Sequence, residues 1–288
     1  MIKYNPKNWL KLVLGIHKSD TLSILWKELI YFFVFTLTLC YVAATYFPGS
    51  VMLENLLTIY SIIGFVISLL LVFRTNTAYD RWWEGRKKWG EMVNDARNLA
   101  AKLSVLDLKD DERDFFNRMI SNYVFAMRDH LREGVRMEEL LLTDQEKVNL
   151  ADREHVPSQL VKMMYAQVRR LVQEGRLSEE NYITVEHTLN NFLNNIGACE
   201  RIKNTPIPYS YSIFIKKFIF LYTASLPLAL LEFFGYYTAI IATLVFYILV
   251  SMEVLAEEIE DPFGRDDNDL PTSELSLKIQ QNVKELFY

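Results

Sequence analysis

Residues 73–90 read Phe73-Arg-Thr-Asn-Thr-Ala-Tyr-Asp-Arg-Trp-Trp-Glu-Gly-Arg-Lys-Lys-Trp-Gly90, and the preceding residues 55–73 contain no Asp, Glu or Lys and no Arg. An uncharged run of this length is just long enough to cross a bilayer as a helix, which takes about 20 residues. The abrupt change to charged and indole side chains indicates that the helix leaves the membrane there. Because no turn signal occurs between Leu56 and Gly85, we predict one continuous helix that extends well beyond the membrane.

Other charge-free segments predict three further spans. No ionisable Asp, Glu, Lys or Arg lies between Glu28 and Glu54, and Pro48-Gly49-Ser50 supplies a turn before the second span. Residues 218–231 and 233–252 are separated only by Glu232, which predicts a helical hairpin with its tip at Glu232–Gly235. A single long buried helix is the alternative for this region.

The positions of Lys and Arg predict the orientation. These residues precede the first span, follow the second and precede the third, whereas the two short loops have none. Both termini are therefore expected in the cytoplasm, in a multi-pass protein. The predicted domains are a cytoplasmic N-terminal segment (1–27), helices 1 and 2 with the extension of helix 2 (28–90), a helical cytoplasmic domain (91–210), helices 3 and 4 (211–255) and an acidic cytoplasmic segment (256–288).

The composition agrees with a membrane protein that has a large polar part. Of the 288 residues, 51% are hydrophobic and 23% are charged, and the two kinds are segregated along the chain. The net charge of −5 argues against a nucleic-acid partner, which would need a basic face. Cys40 and Cys199 lie in different predicted compartments, so we expect both to be reduced thiols. We expect no cleaved signal peptide.

The polar middle of the chain, residues 91–203, is predicted to be helical. Pro157 fits the first turn of a helix, Ser178 fits an N-cap, and Glu84 and Lys88 have the i,i+4 spacing of helical charge pairs. Alternating strand patterns are absent from the sequence. The fold class is therefore all-α, with four transmembrane helices and a helical cytoplasmic domain.

The sequence contains few candidates for chemistry. It has no glycine-rich phosphate loop, no His-Glu-x-x-His, no Cys-x-x-Cys and no Gly-x-Ser-x-Gly. His130 follows Asp129 and His155 follows Glu154, and either could be half of a metal or acid–base site, or an ordinary surface histidine. An enzyme would have to use these groups, and we expect none.

The second span carries a candidate pore surface. At about 100° per residue, Phe65, Leu69 and Phe73 lie along one slowly drifting face, beside three small residues, Ser61, Gly64 and Ser68. Such a stripe can face lipid, a protein core or a dry constriction of a pore. With only one such helix per chain, a pore would need a symmetric ring of subunits.

Three segments together resemble the bestrophin family of ion channels, in its bacterial branch. They are residues 73–90, Cys199-Glu-Arg-Ile-Lys-Asn-Thr-Pro-Ile-Pro-Tyr-Ser-Tyr211 and Glu257-Glu-Ile-Glu-Asp-Pro-Phe-Gly-Arg-Asp-Asp-Asn-Asp-Leu-Pro271. The resemblance implies a homopentamer whose second helices line a central pore with a hydrophobic neck, at Phe65, Leu69 and Phe73. It also implies a cytosolic constriction at Ile183, which the residues alone would equally fit as a buried helix position.

The acidic segment after the fourth span resembles the calcium-binding segment of animal bestrophins. The matching positions are Glu258, Asp261, Asp266 and Asp269, and carboxylate oxygens at short spacing suit Ca²⁺ or another divalent ion. The alternative is a structural role, in which the acids pair with Arg or Lys of a neighbouring subunit or interact with a helix N-terminus. No cofactor is required by the sequence.

The expected function is a channel for monovalent cations in the cell inner membrane, since the bacterial branch is associated with cations and the chain is acidic. An anion (chloride) channel of the same architecture and a membrane-anchored signalling or scaffold protein are the alternatives. Trp82, Trp83 and Trp89 are interpreted as packing anchors between subunits rather than as an interfacial aromatic belt.

Overall fold

The computed structural model describes residues 21–47 and 56–288, which form helices and their connecting turns and contain no β-strand. The all-α prediction is thus confirmed for them. The predicted turn Pro48-Gly49-Ser50 lies outside the described residues. The α-helices are α1 (Thr21–Tyr46), α2 (Leu56–Ser104), α3 (Asp110–His130), α4 (Asp144–Leu150), α5 (Val156–Gln173), α6 (Glu179–Asn204), α7 (Tyr209–Phe234), α8 (Thr238–Glu260) and α9 (Thr272–Phe287), with 3₁₀ turns at Met137–Glu139 and Gly235–Tyr237.

Three stretches of the described residues are helical, long and apolar enough to cross a membrane: Thr21–Tyr46, Leu57–Ser104 and Tyr209–Glu260. The third stretch contains both α7 and α8, which pack against each other. Gly235 lies at their junction with φ +53°, a conformation that glycine adopts without a steric penalty. The predicted hairpin is confirmed, and the alternative of one long helix is wrong because the 3₁₀ turn interrupts it.

Helix α2 runs unbroken over 49 residues, as the absence of turn signals predicts. It contributes to both of the compact units into which the chain divides. The first unit comprises residues up to Arg81 together with Pro206–Glu260 and Asp266–Asn268, and the second comprises Trp82–Thr205, Asp261–Arg265 and Asp269–Tyr288.

The first unit is held together by small apolar clusters between its helices. Helix α1 packs on α7 and α8, and the rings of Phe32 and Phe246 stack with centroids 4.0 Å apart. Ile67 of α2 is buried with Ile215 and Ile219 of α7. Most other large apolar side chains of these helices are exposed, as expected for surfaces that contact lipid or other subunits.

The second unit has one larger core, built on the C-terminal half of α2 with α3, α5, α6 and α9. The Tyr123 hydroxyl donates a hydrogen bond to the carbonyl of Phe192 inside this core. Cys199 is fully buried there, and burial raises the pKa of its thiol to about 12. Cys199 and Cys40 of the first unit are both free thiols.

The predicted helix signals of the second unit have mixed outcomes. Pro157 lies in the first turn of α5, and the Ser178 hydroxyl caps α6 by accepting from the backbone N–H of Asn181 at 3.3 Å. The i,i+4 pair of Glu84 and Lys88 does not form. Instead, the Glu84 carboxylate pairs with Arg201 at 2.6 Å and the Lys88 ammonium pairs with Glu91 at 2.7 Å.

The tryptophans behave differently from one another. Trp89 is fully buried in the core of its own chain, so the interpretation of an anchor between subunits is wrong for it, because α2 continues into this core. Trp82 is partly buried against the same core. Trp83 is 44% exposed, with the Lys87 ammonium 6.0 Å from its ring centroid, an arrangement typical of a cation–π contact.

Candidate functional site: the exposed face of helix α2

The three predicted neck residues lie on a face of α2 that the rest of the first unit leaves uncovered. Phe65, Leu69 and Phe73 are 71%, 45% and 55% exposed. At about 100° per residue they span about 80° of the helix. The buried side chains of the same helix lie roughly opposite, at Ile67, Leu71, Arg74 and Ala78. One face of α2 therefore holds the fold together, and the other presents an apolar stripe.

The small residues beside the stripe have separate roles. The hydroxyls of Ser61 and Ser68 donate to the carbonyls of Leu57 and Gly64 at 2.9 Å, so neither needs a water partner. Gly64 faces α7, where a Cβ would lie 2.7 Å from the Tyr222 hydroxyl oxygen. Gly64 therefore allows close approach of α7 within one chain.

Polar residues continue the stripe toward the C-terminal end of α2. Asn76 and Asp80 are both exposed, and their helical positions lie about 20° and 60° from that of Phe65. The same exposed face thus changes from aromatic and aliphatic side chains to an amide and a carboxylate. A pore lined by this face would have a carboxylate beside its apolar section.

A buried charge cluster lies behind the stripe. Arg74 is 1% exposed, and its guanidinium lies 2.7 Å from the Glu260 carboxylate and 3.5 Å from that of Glu253. Glu260 also accepts a hydrogen bond from the backbone N–H of Ile207 at 2.6 Å. Two carboxylates thus surround one guanidinium, so Arg74 presents no uncompensated positive charge.

This cluster was missed by the sequence analysis, although a signal for it exists. Arg74 is the first charged residue after the apolar part of α2, and Glu253 is the first after the apolar part of α8. Charges next to a bilayer-length apolar run are expensive to leave unpaired, which makes such residues candidates for mutual pairing.

Ile183 is the fifth residue of α6 and is 65% exposed. The reading of Ile183 as a buried helix position is therefore wrong for the single chain. An exposed aliphatic residue on a polar unit is compatible with contact to another subunit or with a constriction. Its role in a constriction stays a prediction.

The four acidic positions differ in their surroundings. In the first unit, Glu258 accepts a hydrogen bond from the Asn268 amide at 2.7 Å, and Asp266 is exposed. In the second unit, Asp261 is exposed and Asp269 is 2% exposed, next to Gly264. Carboxylates are suitable ligands for Ca²⁺, but Glu258 already has an amide partner. The calcium site stays a prediction.

The second unit brings the two candidate histidines together. The Nε2 atoms of His130 and His155 lie 2.7 Å and 2.9 Å from the same carboxylate oxygen of Glu200. Sequence reasoning missed Glu200, which is 45 residues from the nearer histidine. The sequence left open whether they are surface histidines or parts of a metal or acid–base site, and the structure places both, partly buried, in one cluster with Glu200.

Comparisons with known proteins agree with this architecture. Residues 1–285 match the bacterial and fungal bestrophin proteins as a family. A protein of Nostoc sp. named voltage-dependent anion channel-forming protein is 37% identical over 229 residues, which cover 77% of this chain and 74% of the relative. A protein of the same description from Ralstonia nicotianae is 32% identical over 286 residues, covering 97% and 92%.

Solved structures show the same fold. The crystal structure of a bacterial bestrophin homologue from Klebsiella pneumoniae has a TM-score of 0.82 and 23% identity, covering 90% of this chain and 97% of that one. A mutant of the Klebsiella homologue gives a TM-score of 0.83 at 22% identity, covering 91% and 98%. From the match over nearly its whole length, the chain belongs to the bacterial and fungal bestrophin family, whose model covers its residues 1–285.

Proposed function

We propose that this membrane protein is a pentameric ion channel whose α2 helices surround the permeation path. Phe65, Leu69 and Phe73 of each chain form its hydrophobic neck, and Ile183 forms a second constriction on the cytoplasmic side. The channel passes monovalent cations across the inner membrane, with both termini of the chain in the cytoplasm. The observation that carries the proposal is the uncovered apolar stripe of α2, opposite the face that packs within the chain.

The stripe supports a ring of subunits because the described part of each chain contains one such helix. Among the described residues, α2 alone combines an exposed Phe-Leu-Phe stripe with polar residues that continue the same face. Five copies around an axis would stack rings of phenylalanine and leucine, and an apolar constriction of this kind passes ions only when it widens or becomes hydrated. The channel-forming names of the relatives support conduction.

The first exposed charge beyond the stripe supports cations. An apolar neck carries no charge of its own, so selectivity must come from charges at its ends or from the cost of dehydration. Asp80 is exposed on the same face, and a pentamer would place five such carboxylates beside the path. Arg74, the nearest cation to Phe73, is surrounded by two carboxylates and cannot favour anions.

Anion conduction is the second candidate, because the relatives from Nostoc and Ralstonia are named anion channel-forming proteins. Flux of Na⁺, K⁺ and Cl⁻ from liposomes containing the purified protein decides between the two. Faster Na⁺ and K⁺ than Cl⁻ flux, reduced toward parity by Asp80→Asn, supports the cation proposal. Selective Cl⁻ flux would establish the anion candidate, and absence of all flux would support a scaffold instead.

The neck is tested by replacing Phe65, Leu69 and Phe73 together with alanine. Removing the rings widens and wets the constriction, so ion flux should increase by at least about tenfold if this section holds a barrier of 1.4 kcal/mol or more. The matched control changes Ile240, Leu244 and Ile248 of α8 to alanine. These have the same i, i+4, i+8 spacing and are 57%, 56% and 51% exposed.

The control triplet should leave flux unchanged, since it lies on another helix. Equal flux in both triple variants and the wild type would remove the Phe-Leu-Phe stripe from the path. The protein mass of the particle, with the bound detergent subtracted, tests the assembly: five chains of 33.8 kDa give about 169 kDa. A particle of one or two chains would contradict the pentamer.

A further inference from the structure

The cluster of His130, His155 and Glu200 joins three helices of the second unit. His130 is the last residue of α3, His155 is the N-cap of α5, and Glu200 lies near the end of α6. One ligand atom from each lies within 4.8 Å of the others. The two imidazole rings are 4.6 Å apart between centroids, so the two rings lie side by side.

We propose that His130, His155 and Glu200 bind a first-row transition-metal ion, with zinc as the test ion. Imidazole nitrogen and carboxylate oxygen are ordinary zinc ligands, with bonds of about 2.0–2.2 Å. The two histidines make Ca²⁺ and Mg²⁺ poor occupants, because those ions select oxygen ligands. This site is separate from the acidic positions of the segment after α8, and it does not depend on ion conduction.

The geometry requires only a small rearrangement. Tetrahedral zinc places its ligand atoms about 3.3 Å apart, whereas the Nε2 atoms are now 2.7 Å and 2.9 Å from the Glu200 oxygen. The metal would replace the protons that these hydrogen bonds now share. The side chains are 23%, 35% and 29% exposed, so the ion has a route from solvent and a water molecule can complete its coordination.

One contact of His155 opposes metal binding. Its Nδ1 atom accepts a hydrogen bond from the backbone N–H of Ser158 at 3.1 Å, which caps α5. Coordination through Nε2 moves the proton to Nδ1 and breaks this cap. The site is therefore weaker than a closed structural zinc centre, and its ion exchanges with the surroundings. A variant at this position must keep the cap if it is to test coordination alone.

The 288-residue protein, purified in detergent without a histidine tag and stripped with a chelator, is titrated with Zn²⁺ and separately with Co²⁺. Equilibrium dialysis with elemental analysis counts the bound ions, and the visible spectrum of Co²⁺ reports its coordination by nitrogen and oxygen. We expect one Zn²⁺ per chain that excess Ca²⁺ and Mg²⁺ do not displace. His130→Ala, His155→Asn and Glu200→Gln should each weaken this binding by more than about 100-fold, since loss of even an outer partner costs 10–100-fold.

His155→Asn retains an N-cap residue, so its effect reports the lost imidazole rather than a lost cap. His187→Ala is the matched control, because His187 is an exposed histidine on α6 outside the cluster. Each variant must elute in size-exclusion chromatography at the same volume as the wild-type oligomer. Unchanged binding in the three cluster variants, or a loss in His187→Ala of the same size, would overturn the site, as would a wild type that retains no zinc.

Discussion

The buried charge cluster of the first unit predicts that replacing Arg74 lowers the thermal stability far more than replacing the exposed Lys216. Arg74→Met removes the guanidinium that lies 2.7 Å from Glu260 and 3.5 Å from Glu253, and leaves both carboxylates without it. Their side chains are 13% and 4% exposed, so water screens them little. Breaking a buried ion pair from one side costs about 3–5 kcal/mol.

In a chain of this size, each kcal/mol of lost stability lowers the melting temperature by about 2 °C, so Arg74→Met should lower it by roughly 6–10 °C. The control is Lys216→Met, which breaks the pair of Lys216 with Glu257 at 2.9 Å. That pair has 42% and 58% exposed side chains, and an exposed pair contributes at most about 1 kcal/mol. The assay is the fraction of intact oligomer in size-exclusion chromatography after heating.

Glu253→Gln completes the test. The cluster has two negative charges and one positive, and Glu253 is the more distant partner at 3.5 Å, where neither of its oxygens makes a hydrogen bond. Removing its charge balances the cluster and should change the melting temperature by less than about 2 °C. The combined Arg74→Met and Glu253→Gln variant should be more stable than Arg74→Met alone. Equal losses for Arg74→Met and Lys216→Met would refute the reasoning.

Two further predictions concern packing and pH. Gly64→Ala places a Cβ 2.7 Å from the Tyr222 hydroxyl oxygen and should destabilise the fold by about 1–3 kcal/mol. Adding Tyr222→Phe should restore most of the lost stability, because the next ring atom is 3.4 Å away. The same heating assay measures both variants, and a double variant no more stable than Gly64→Ala would contradict the close approach. The hydrogen bond from Arg176 lowers the pKa of the Glu112 carboxyl, although burial opposes the shift. This stabilisation is present above the ordinary glutamate pKa of about 4.3 and is lost as pH falls through the lower folded value. Thermal unfolding followed by circular dichroism should therefore depend less on pH below about 5 in Glu112→Gln than in the wild type. Identical pH profiles would exclude this pair as a cause of the pH dependence.

The sequence predicts the helices of this protein well because their signals are local. The uncharged run before Phe73 and the absence of turn residues up to Gly85 suffice to predict a helix longer than the membrane is thick, and α2 confirms it. Gly235 and Glu232 likewise predict the hairpin tip. Each of these signals lies within a few residues of the feature it determines, and bilayer thickness supplies the length scale.

Side-chain partners are predicted less well because they depend on tertiary packing. The local spacing of Glu84 and Lys88 suggests a pair, yet Glu84 pairs with Arg201, which is 117 residues away. Trp89 lies beside charged residues in the sequence and is nonetheless fully buried, because the helix turns it toward the core. Burial of such a residue is decided by which elements pack on its face, and spacing along one helix does not contain that information.

Long-range charge pairs can still be sought from sequence when the cost of leaving them unpaired is large. A guanidinium directly after a bilayer-length apolar helix must pair with an acid or remain in water. The candidate partners of Arg74 are therefore the acids at the ends of the other apolar helices. In this chain those include Glu253, Glu257 and Glu260 at the end of α8, and two of the three contact it. The same argument fails for His130 and His155, because an imidazole in a polar unit can be left in water at little cost. Their convergence on Glu200 depends on tertiary packing, whereas the cost of burying a charge limits the candidate partners of Arg74 to a few acids before the packing is known.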